Sequence, residues 1–373
     1  MRVLTVSAFF ESHGGGIEIV ASALAQALAR RGHDSLLAAT ALDPPPATSN
    51  VSSIALTARD PIEAVTGLPM PLLNRAARAR LEDEVRRADA LVIHDALYST
   101  SLLARRYAER HKKPWLLIQH VGQIPYSSRV LRTVLRVANN LVTAPMITAA
   151  PQTVFISDVV RSQFTHLRCP RPPQLMFNGV DGTAFRAATE NEKLALRQSL
   201  GVSAQRPQML FVGRFVEKKG LSALRVLAAL RPECDFLLVG NGPIDPSNWD
   251  LANVRVLGRK DRTELANIYR AADALVLPSM GEGYPLVVQE ALACGLAVYC
   301  GADTAAADPA ASSFLEGVEV DPRAPEITAQ RFANAIAHPL SALPDQEASV
   351  FARERYDWDA NAAKIERLLR ALL

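Results

Sequence analysis

Residues 279–295 read SMGEGYPLVVQEALACG and follow a short apolar run, Ala274 to Leu277, that ends at Pro278. The apolar run is typical of a buried strand, and the spacing of apolar residues from Val287 predicts a helix that Gly295 can end in a left-handed conformation. A strand, a glycine-rich turn and a helix in this order aim free backbone N–H groups and the positive end of the helix at an anion. The stretch therefore predicts a phosphate-binding turn in an α/β fold.

Two carboxylates lie in this stretch, Glu282 in the turn and Glu290 in the helix. A site for phosphate alone has no obvious use for two acids. Carboxylates do accept hydrogen bonds from the hydroxyls of sugars and ribose. We therefore expect a ligand in which phosphate is attached to a group rich in hydroxyls.

A second loop of the same kind, residues 213–220 (GRFVEKKG), also follows a strand and begins a helix. Arg214 and Lys219 can converge on its mouth, where a guanidinium fork and an ammonium group suit phosphate oxygens. Taken alone, this segment would be interpreted as a solvated charged loop. Together with the turn at 281–290, it favours a diphosphate site.

The composition is that of a globular chain of 373 residues, with 49% apolar and 21% charged residues. This length suggests two domains, or one large one. Met1–Ala8 has the length and flanks of a strand rather than of a signal peptide, and no apolar stretch approaches the roughly 18–20 residues of a membrane-spanning helix. Four cysteines without metal-ligand spacing are typical of reduced thiols, so a cytoplasmic location is expected.

Charge is distributed unevenly along the chain. Residues 1–178 contain 20 Lys and Arg against 13 Asp and Glu, and the remainder contains 21 against 25. Arg129, Arg132 and Arg136 fall on one face of a predicted helix, with valines and Leu141 on another. An ordinary packed helix explains this pattern equally well, but the basic balance favours an anionic partner. Membrane phospholipid, nucleic acid and a phosphorylated acceptor are the candidate partners. Of these we expect no nucleic acid. The preferred interpretation is that the protein associates peripherally with the inner face of the plasma membrane.

Strand and helix patterns alternate along two halves of the chain, which predicts parallel sheets covered on both faces. A proline cluster at Arg168–Pro173 places a junction just after it. The predicted domains are residues 1–175, residues 176–355 and a terminal amphipathic helix, 356–373.

Three further motifs each have an ordinary structural interpretation. The sequence His13-Gly14-Gly15-Gly16 lacks the third glycine of a dinucleotide fingerprint, and no G-x-S-x-G accompanies it, so it predicts only a flexible loop that can approach a ligand closely. His94 and His120 each end a strand, where ligands of open parallel sheets bind, although a lone histidine is more often structural. Asp357-Trp358-Asp359 is interpreted as a helix cap rather than a metal motif.

Taken together, these residues resemble the family 4 glycosyltransferases, which have the two-domain GT-B fold. The resemblance is spread over most of the chain, and the order and spacing of its motifs make it specific. The matching pieces are Gly15-Gly16 with Glu18, Arg31-Gly32-His33, Ser157-Asp158, Asn178-Gly179-Val180-Asp181 with Phe185, Gly213-Arg214 with Lys219-Gly220, Pro278-Ser279, the E-x7-E pair Glu282 and Glu290 with Ala291–Gly295, and Phe351–Leu369 around Trp358.

The resemblance implies a fold, a reaction and a role for each matching residue. The fold has two Rossmann-like domains whose parallel sheets face each other across a cleft, with a terminal helix that crosses back to the first domain. The reaction is retaining and metal-independent: a sugar passes from a nucleoside-diphosphate donor to an acceptor hydroxyl, the departing phosphate oxygen takes the acceptor proton, and no cofactor is required. The implied catalytic residues are Arg214, Lys219, Glu282 and His120, and the implied donor-binding residues are Gly15, Gly16, Gly283, Tyr284, Leu286, Val287 and Glu290. Within these sets Glu282 holds sugar hydroxyls, Glu290 bonds the ribose and His120 lies near the transferred sugar.

The sequence departs from the family pattern in the Ala-rich segment Ala302–Ser313, which lacks a further Gly and Glu. His13 is also an unexplained neighbour of the glycine loop. Two other functions are compatible with the sequence, a non-hydrolysing sugar-nucleotide epimerase and a catalytically silent nucleotide-sugar-binding protein. We expect a transferase that acts in the synthesis of a bacterial-type cell-surface polysaccharide, lipopolysaccharide or glycolipid, on a sugar, lipid-linked or glycolipid acceptor.

Overall fold

A computed structural model of the chain describes residues 1–46, 50–61, 70–122, 129–337 and 345–373, without the side chains of residues 129–132 and 345. The chain divides into two compact units. The first consists of Met1–Gln123, Thr133–Asn178 and Trp358–Leu373, and the second of Ile124–Arg132 and Gly179–Asp357.

The first unit is built on a parallel sheet of seven strands. The strands of this sheet are β1 (Arg2–Val6), β2 (Asp34–Thr40), β3 (Ser52–Leu56), β6 (Ala90–His94), β7 (Trp115–Gln119), β8 (Gln152–Phe155) and β9 (Gln174–Leu175). Two further strands, β4 (Ala58–Arg59) and β5 (Leu72–Leu73), form a separate antiparallel pair. The sheet order is β3-β2-β1-β6-β7-β8-β9. The helices before the junction are α1 (Gly16–Arg30), α2 (Arg75–Arg87), α3 (Ser99–Arg110), α4 (Arg129–Ala138), α5 (Ala144–Ala149) and α6 (Asp158–Gln163).

The central strands of this sheet are buried on both faces. Every residue of β6 and of β7 is buried, and Leu4, Leu91 and Leu117 have no exposed surface. Parallel strands covered by helices must be apolar throughout, which is why these strands read as continuous apolar runs.

The second unit repeats this architecture with six parallel strands. They are β10 (Gln208–Val212), β11 (Asp235–Val239), β12 (Val254–Gly258), β13 (Ala274–Leu277), β14 (Ala297–Gly301) and β15 (Leu315–Val318), in the order β12-β11-β10-β13-β14-β15. Its helices are α7 (Glu190–Leu200), α8 (Leu221–Leu230), α9 (Arg262–Ala271), α10 (Leu286–Ala293), α11 (Ala302–Ala305), α12 (Pro325–Ala337) and α13 (Asp345–Arg355). The two parallel sheets confirm the predicted α/β fold class.

The last helix, α14 (Trp358–Arg370), packs against α1 in the first unit. Ile365 and Leu369 on its apolar face are fully buried. Ion pairs flank this contact, between Arg30 and Asp359 at 2.7 Å and between Arg31 and Glu366 at 2.9 Å. Asp359 is thus the partner of an arginine.

Candidate functional site

The candidate site of the second unit lies where β10 and β13 end side by side in the parallel sheet. The loop 213–220 leaves β10 and the turn 279–285 leaves β13, so both emerge at the same edge. The backbone N–H of Met280 donates to the carbonyl of Lys218 at 2.9 Å. The two segments that the sequence singled out are therefore bonded to each other.

Two glycines make this close approach possible. A Cβ on Gly220, which has φ +73°, would overlap the carbonyl of Pro278. A Cβ on Gly240, in the turn after β11, would overlap the carbonyl of Gly213. Asn241 in that same turn accepts a hydrogen bond from the N–H of Phe215 at 2.8 Å. The turn after β11 therefore packs against the 213–220 loop and supports it.

Lys219 and Glu282 meet across the two segments. The Lys219 Nζ lies 2.8 Å from Glu282 Oε1, and each side chain is 13% exposed. Burial pushes the pKa of Glu282 upward, but the positive charges of Lys219 and Lys218 outweigh it, and the pKa of this carboxyl lies below its ordinary value. Glu282 is therefore ionised at neutral pH and forms a true ion pair with Lys219.

Arg214 and the first turn of α10 carry the remaining groups suited to anions. The side chain of Arg214 is exposed, and it forms no hydrogen bond or ion pair within the described part of the chain. Pro285 precedes α10 and has no N–H, whereas the amides of Leu286 and Val287 have no acceptor within the helix. Gly283 and Tyr284 complete the turn that leads into these amides.

Glu290 occupies a different environment from Glu282. Burial raises its pKa to about 7, against the opposing effect of a hydrogen bond from Tyr269, whose ring is fully buried. A carboxyl near its pKa can both donate and accept hydrogen bonds, which suits a pair of ribose hydroxyls. The two acids of the E-x7-E pair therefore differ in charge at neutral pH.

Replacement of Glu290 by glutamine should stabilise the protein above pH 7. A carboxyl whose pKa is raised in the folded state contributes stability that is fully present below about pH 4.5 and is lost as the pH rises through about 7. Since glutamine keeps an acceptor for Tyr269 without the charge, we expect Glu290→Gln to gain about 1–3 kcal/mol at pH 8 and almost nothing at pH 5. Thermal unfolding at the two pH values measures this, and a pH-independent difference would contradict the raised pKa.

Tyr284 belongs to a buried network that the sequence did not reveal. Its hydroxyl lies 2.9 Å from that of Tyr356, which donates to Asp308 Oδ2 at 2.8 Å. Arg355 forms an ion pair with the same carboxylate. Asp308 has no exposed surface and lies in the Ala-rich segment that departs from the family pattern. Through Asp308 this segment anchors Tyr356 and, through Tyr356, the turn that contains Tyr284.

In the first unit, the glycine loop leads into α1. Gly15 is the N-cap and Gly16 the first helical residue, and a Cβ on Gly15 would overlap the buried carboxylate of Glu18. His13 stacks on Phe9, with ring centroids 4.1 Å apart, and its Nδ1 lies 3.0 Å from Asp43 Oδ2. These contacts hold His13 beside the glycine loop and indicate a structural role for it.

His120 directly follows β7 and is 3% exposed. Its Nε2 lies 3.0 Å from Nδ1 of His94, which ends the neighbouring strand β6. Burial lowers the pKa of His120 to about 3 and that of His94 well below its ordinary value, with His120 adding to the effect on His94. Both rings are neutral at physiological pH. The sequence pointed to each histidine but gave no sign that they are bonded.

The described ranges contain no group of three His, Cys, Asp or Glu side chains arranged to hold a metal ion. Nor does any helix within them combine the length and apolar character that crossing a membrane requires. The basic face on α4 is only partly described, because the side chains of Arg129 and Arg132 lie outside the described residues; Arg136 is exposed.

Two protein-family models match the chain in succession. The model described as "Glycosyltransferase Family 4" matches residues 14–183, and "Glycosyl transferases group 1" matches residues 192–354. Together they take in both units.

Curated proteins with similar sequences match over part of the chain. The chain is 32% identical over 163 residues to a GDP-mannose-dependent monoacylated alpha-(1-6)-phosphatidylinositol monomannoside mannosyltransferase of Corynebacterium glutamicum, covering 39% of this chain and 43% of that protein. It is 33% identical over 207 residues to a D-inositol 3-phosphate glycosyltransferase of Thermobispora bispora, covering 50% and 47%. The chain thus spans about half the length of these relatives.

Solved structures show the same fold over the whole chain. Anabaena Alr3699/HepE, in complex with UDP and glucose, has a TM-score of 0.73 at 18% identity and full coverage of both chains. WaaG, a glycosyltransferase involved in lipopolysaccharide biosynthesis, has a TM-score of 0.69 at 17% identity, covering 97% of this chain and 99% of that one. These likenesses confirm the predicted GT-B class of fold.

Proposed function

From the premise that the chain belongs to the family 4 glycosyltransferases, we propose that it transfers a sugar from a nucleoside-diphosphate sugar to an acceptor hydroxyl. Among similar proteins, one relative uses GDP-mannose and HepE has been solved with UDP-glucose. Both support a nucleotide-sugar donor, but the base of the nucleotide differs between them, guanine in one and uracil in the other.

The observation that carries this proposal is the Lys219–Glu282 ion pair beside the first turn of α10. An isolated cation would serve any phosphate. Here an ammonium group is paired with an ionised carboxylate, next to free amides of the helix. The site therefore offers a positive charge and hydrogen-bond donors for phosphate beside a hydrogen-bond acceptor for hydroxyls. That combination fits a phosphate with a sugar attached, since a carboxylate has two oxygens and can accept hydrogen bonds from sugar hydroxyls while it contacts Lys219.

The reaction proposed is substitution at the anomeric carbon with retention. The bond from C1 to the β-phosphate oxygen breaks, the acceptor oxygen bonds to C1 on the same face, and the acceptor proton passes to the departing phosphate oxygen. Negative charge grows on the diphosphate as it leaves, so fixed cations at that oxygen lower the barrier most. Arg214 and Lys219 take this role, and the amides of Leu286 and Val287 hold the distal phosphate together with Gly283 and Tyr284.

The remaining predicted residues complete the proposed donor site. Glu290 bonds the ribose, Gly15 and Gly16 approach the phosphate through their backbone, and His120 contacts the transferred sugar. In this proposed reaction the positive charges come from the side chains of Arg214 and Lys219, so neither a metal nor an organic cofactor is needed.

A thermal-shift screen against UDP-, GDP-, ADP- and dTDP-sugars tests the donor. A donor present at 100 times its Kd should stabilise the protein by about 2.7 kcal/mol. The best donor is then incubated with acceptor alcohols, and release of nucleoside diphosphate is measured, with the anomeric configuration of the product read by NMR. Nucleoside diphosphate that is released only when acceptor is present would support the transferase function. Epimerised nucleotide-sugar, or binding without turnover, would overturn it.

We also propose that the acceptor is presented at an anionic membrane surface, as for lipid-linked or glycolipid substrates. Val134 and Val137 on α4, with Leu141 just beyond it, are 54%, 49% and 72% exposed, next to the exposed Arg136. Exposed apolar side chains beside arginines are typical of a helix that lies in a lipid interface. The polysaccharide and glycolipid relatives support such an acceptor.

Vesicles that contain anionic phospholipid should therefore bind the protein at low salt, and binding should weaken at about 0.5 M salt, where charges are screened within a few ångströms. Arg136→Glu should reduce binding at least several-fold. Arg86→Glu, which changes an exposed arginine on α2, is the matched control and should bind as the wild type does. Equal binding to neutral and anionic vesicles would contradict the proposal.

A further inference from the structure

A strained dipeptide, His94-Asp95, ends β6 beside the tripeptide Gln119-His120-Val121 that ends β7. The two strands are parallel neighbours, with His94 opposite Ile118, and the N–H of Asp95 donates to the carbonyl of Ile118 at 2.8 Å. The dipeptide therefore faces His120 from the adjacent strand.

Asp95 holds both chain neighbours of His120, through the side chain of Gln119 and the backbone of Val121. Its carboxylate accepts from Gln119 Nε2 at 3.3 Å and from the N–H of Val121 at 3.1 Å. Asp95 itself adopts φ +60°, a left-handed conformation that costs a non-glycine residue about 1–2 kcal/mol. Strain of this kind persists only where the surrounding bonds impose it, and it concentrates at functional sites.

His94 holds the ring of His120. The hydrogen bond between His94 Nδ1 and His120 Nε2 is 3.0 Å long, and the two ring planes are 24° apart. Since Nε2 of His120 is occupied, Nδ1 is the ring nitrogen that remains for a ligand.

The partners of His94 determine which tautomer His120 adopts. Nε2 of His94 is buried and has no partner among the described residues. If His120 donated in the shared bond, neutral His94 would carry its proton on this nitrogen, leaving a buried N–H without an acceptor. Orphaned buried N–H groups are rarer than orphaned acceptors. The favoured arrangement therefore has His94 donating from Nδ1, so that His120 carries its own proton on Nδ1.

We propose that His94 is a positioning residue that fixes His120 as the Nδ1–H tautomer and so makes it a hydrogen-bond donor to an oxygen of the transferred sugar. The identity of that ligand rests on the proposed function. The tautomer and its dependence on His94 do not, because they are properties of the protein without substrate. No proton is transferred in this role; the imidazole stays neutral and donates one hydrogen bond.

The first test is ¹⁵N NMR of the histidine side chains in the full-length protein between pH 5 and 8. Wild-type His120 should be a single Nδ1–H tautomer that does not titrate in this range. His94→Leu should produce a mixture of tautomers, whereas His94→Asn, whose amide can donate from the same place, should keep the Nδ1–H form. A wild-type Nε2–H tautomer, or a His94→Leu spectrum identical to wild type, would overturn the proposal. Should His94→Leu fail to fold, the wild-type tautomer and His94→Asn still decide the matter.

The second test is steady-state kinetics of the same variants. His94→Leu should lower kcat about 10- to 100-fold, as small misplacements of a reacting group do, with the donor KM within about threefold of wild type. His94→Asn should recover most of the loss, and His111→Asn, which makes the same replacement at a half-buried histidine after α3, should be unchanged. Equal losses in both His94 variants would show a merely structural role. If the wild type itself transfers no sugar, the proposed function fails and the NMR result alone judges His94.

Discussion

Arg214→Ala should turn over about 100- to 1,000-fold more slowly than the wild type and unfold at the same temperature. The loss follows from removing one fixed positive group from the oxygen on which charge develops, by analogy with the loss of one oxyanion donor. The unchanged stability follows because the side chain of Arg214 is exposed and forms no hydrogen bond or ion pair with the rest of the described chain. The measurement is kcat at saturating donor, with thermal unfolding of the same preparation.

Arg225→Ala is the matched control, since Arg225 is exposed on α8 of the same unit and no residue of the proposed site depends on it. Arg214→Lys should recover part of the rate because it restores the charge without the planar fork. A near-wild-type rate for Arg214→Ala would remove Arg214 from the departure step. If Arg214→Ala unfolded at a lower temperature than the wild type, its loss of activity would be explained by reduced stability.

The buried strands of the fold could be predicted because parallel strands leave an unmistakable apolar pattern. β10, β11 and β13 appear in the sequence as short apolar runs, each followed by glycine or proline. α2 escaped prediction because it is highly charged and buries only Ala77, Leu81 and Val85, one residue per turn. α7 begins at a capping box of Thr189 and Glu192, which is a local signal of a helix start in the sequence.

The candidate site could be predicted only as far as it is local in sequence. Each glycine-rich loop between a strand and a helix is a continuous motif, so both loops and their charged residues could be named in advance. The bonds between Lys219 and Glu282, and from Tyr284 through Tyr356 to Asp308, join residues far apart in the chain. Such contacts depend on strand order and on how the loops pack, which no periodicity encodes.

Lys219→Ala should lose activity to a similar extent as Arg214→Ala, about 100- to 1,000-fold in kcat, but should also lose stability. Without Lys219, burial becomes the dominant effect on Glu282 and raises the pKa of a carboxyl that the lysine now holds below its ordinary value. In the wild type, this lowered pKa contributes stability that is present at neutral pH and is lost as the pH falls below about 4.5. We therefore expect the variant to be about 1–3 kcal/mol less stable at pH 7.5, with the difference shrinking towards pH 4.5.

The double variant Lys219→Ala with Glu282→Gln separates the two losses. Glutamine removes the unpaired charge, so stability at pH 7.5 should return most of the way to wild type, while kcat should remain low because the cation is still missing. Lys218→Ala is the control for general electrostatics, since Lys218 also lowers the pKa of Glu282 but lies one residue away from the ion pair. If Lys218→Ala lost as much activity as Lys219→Ala, overall positive charge would explain the effect. A loss confined to Lys219 would mean that the 2.8 Å contact with Glu282 places the ammonium group where the departing phosphate needs it.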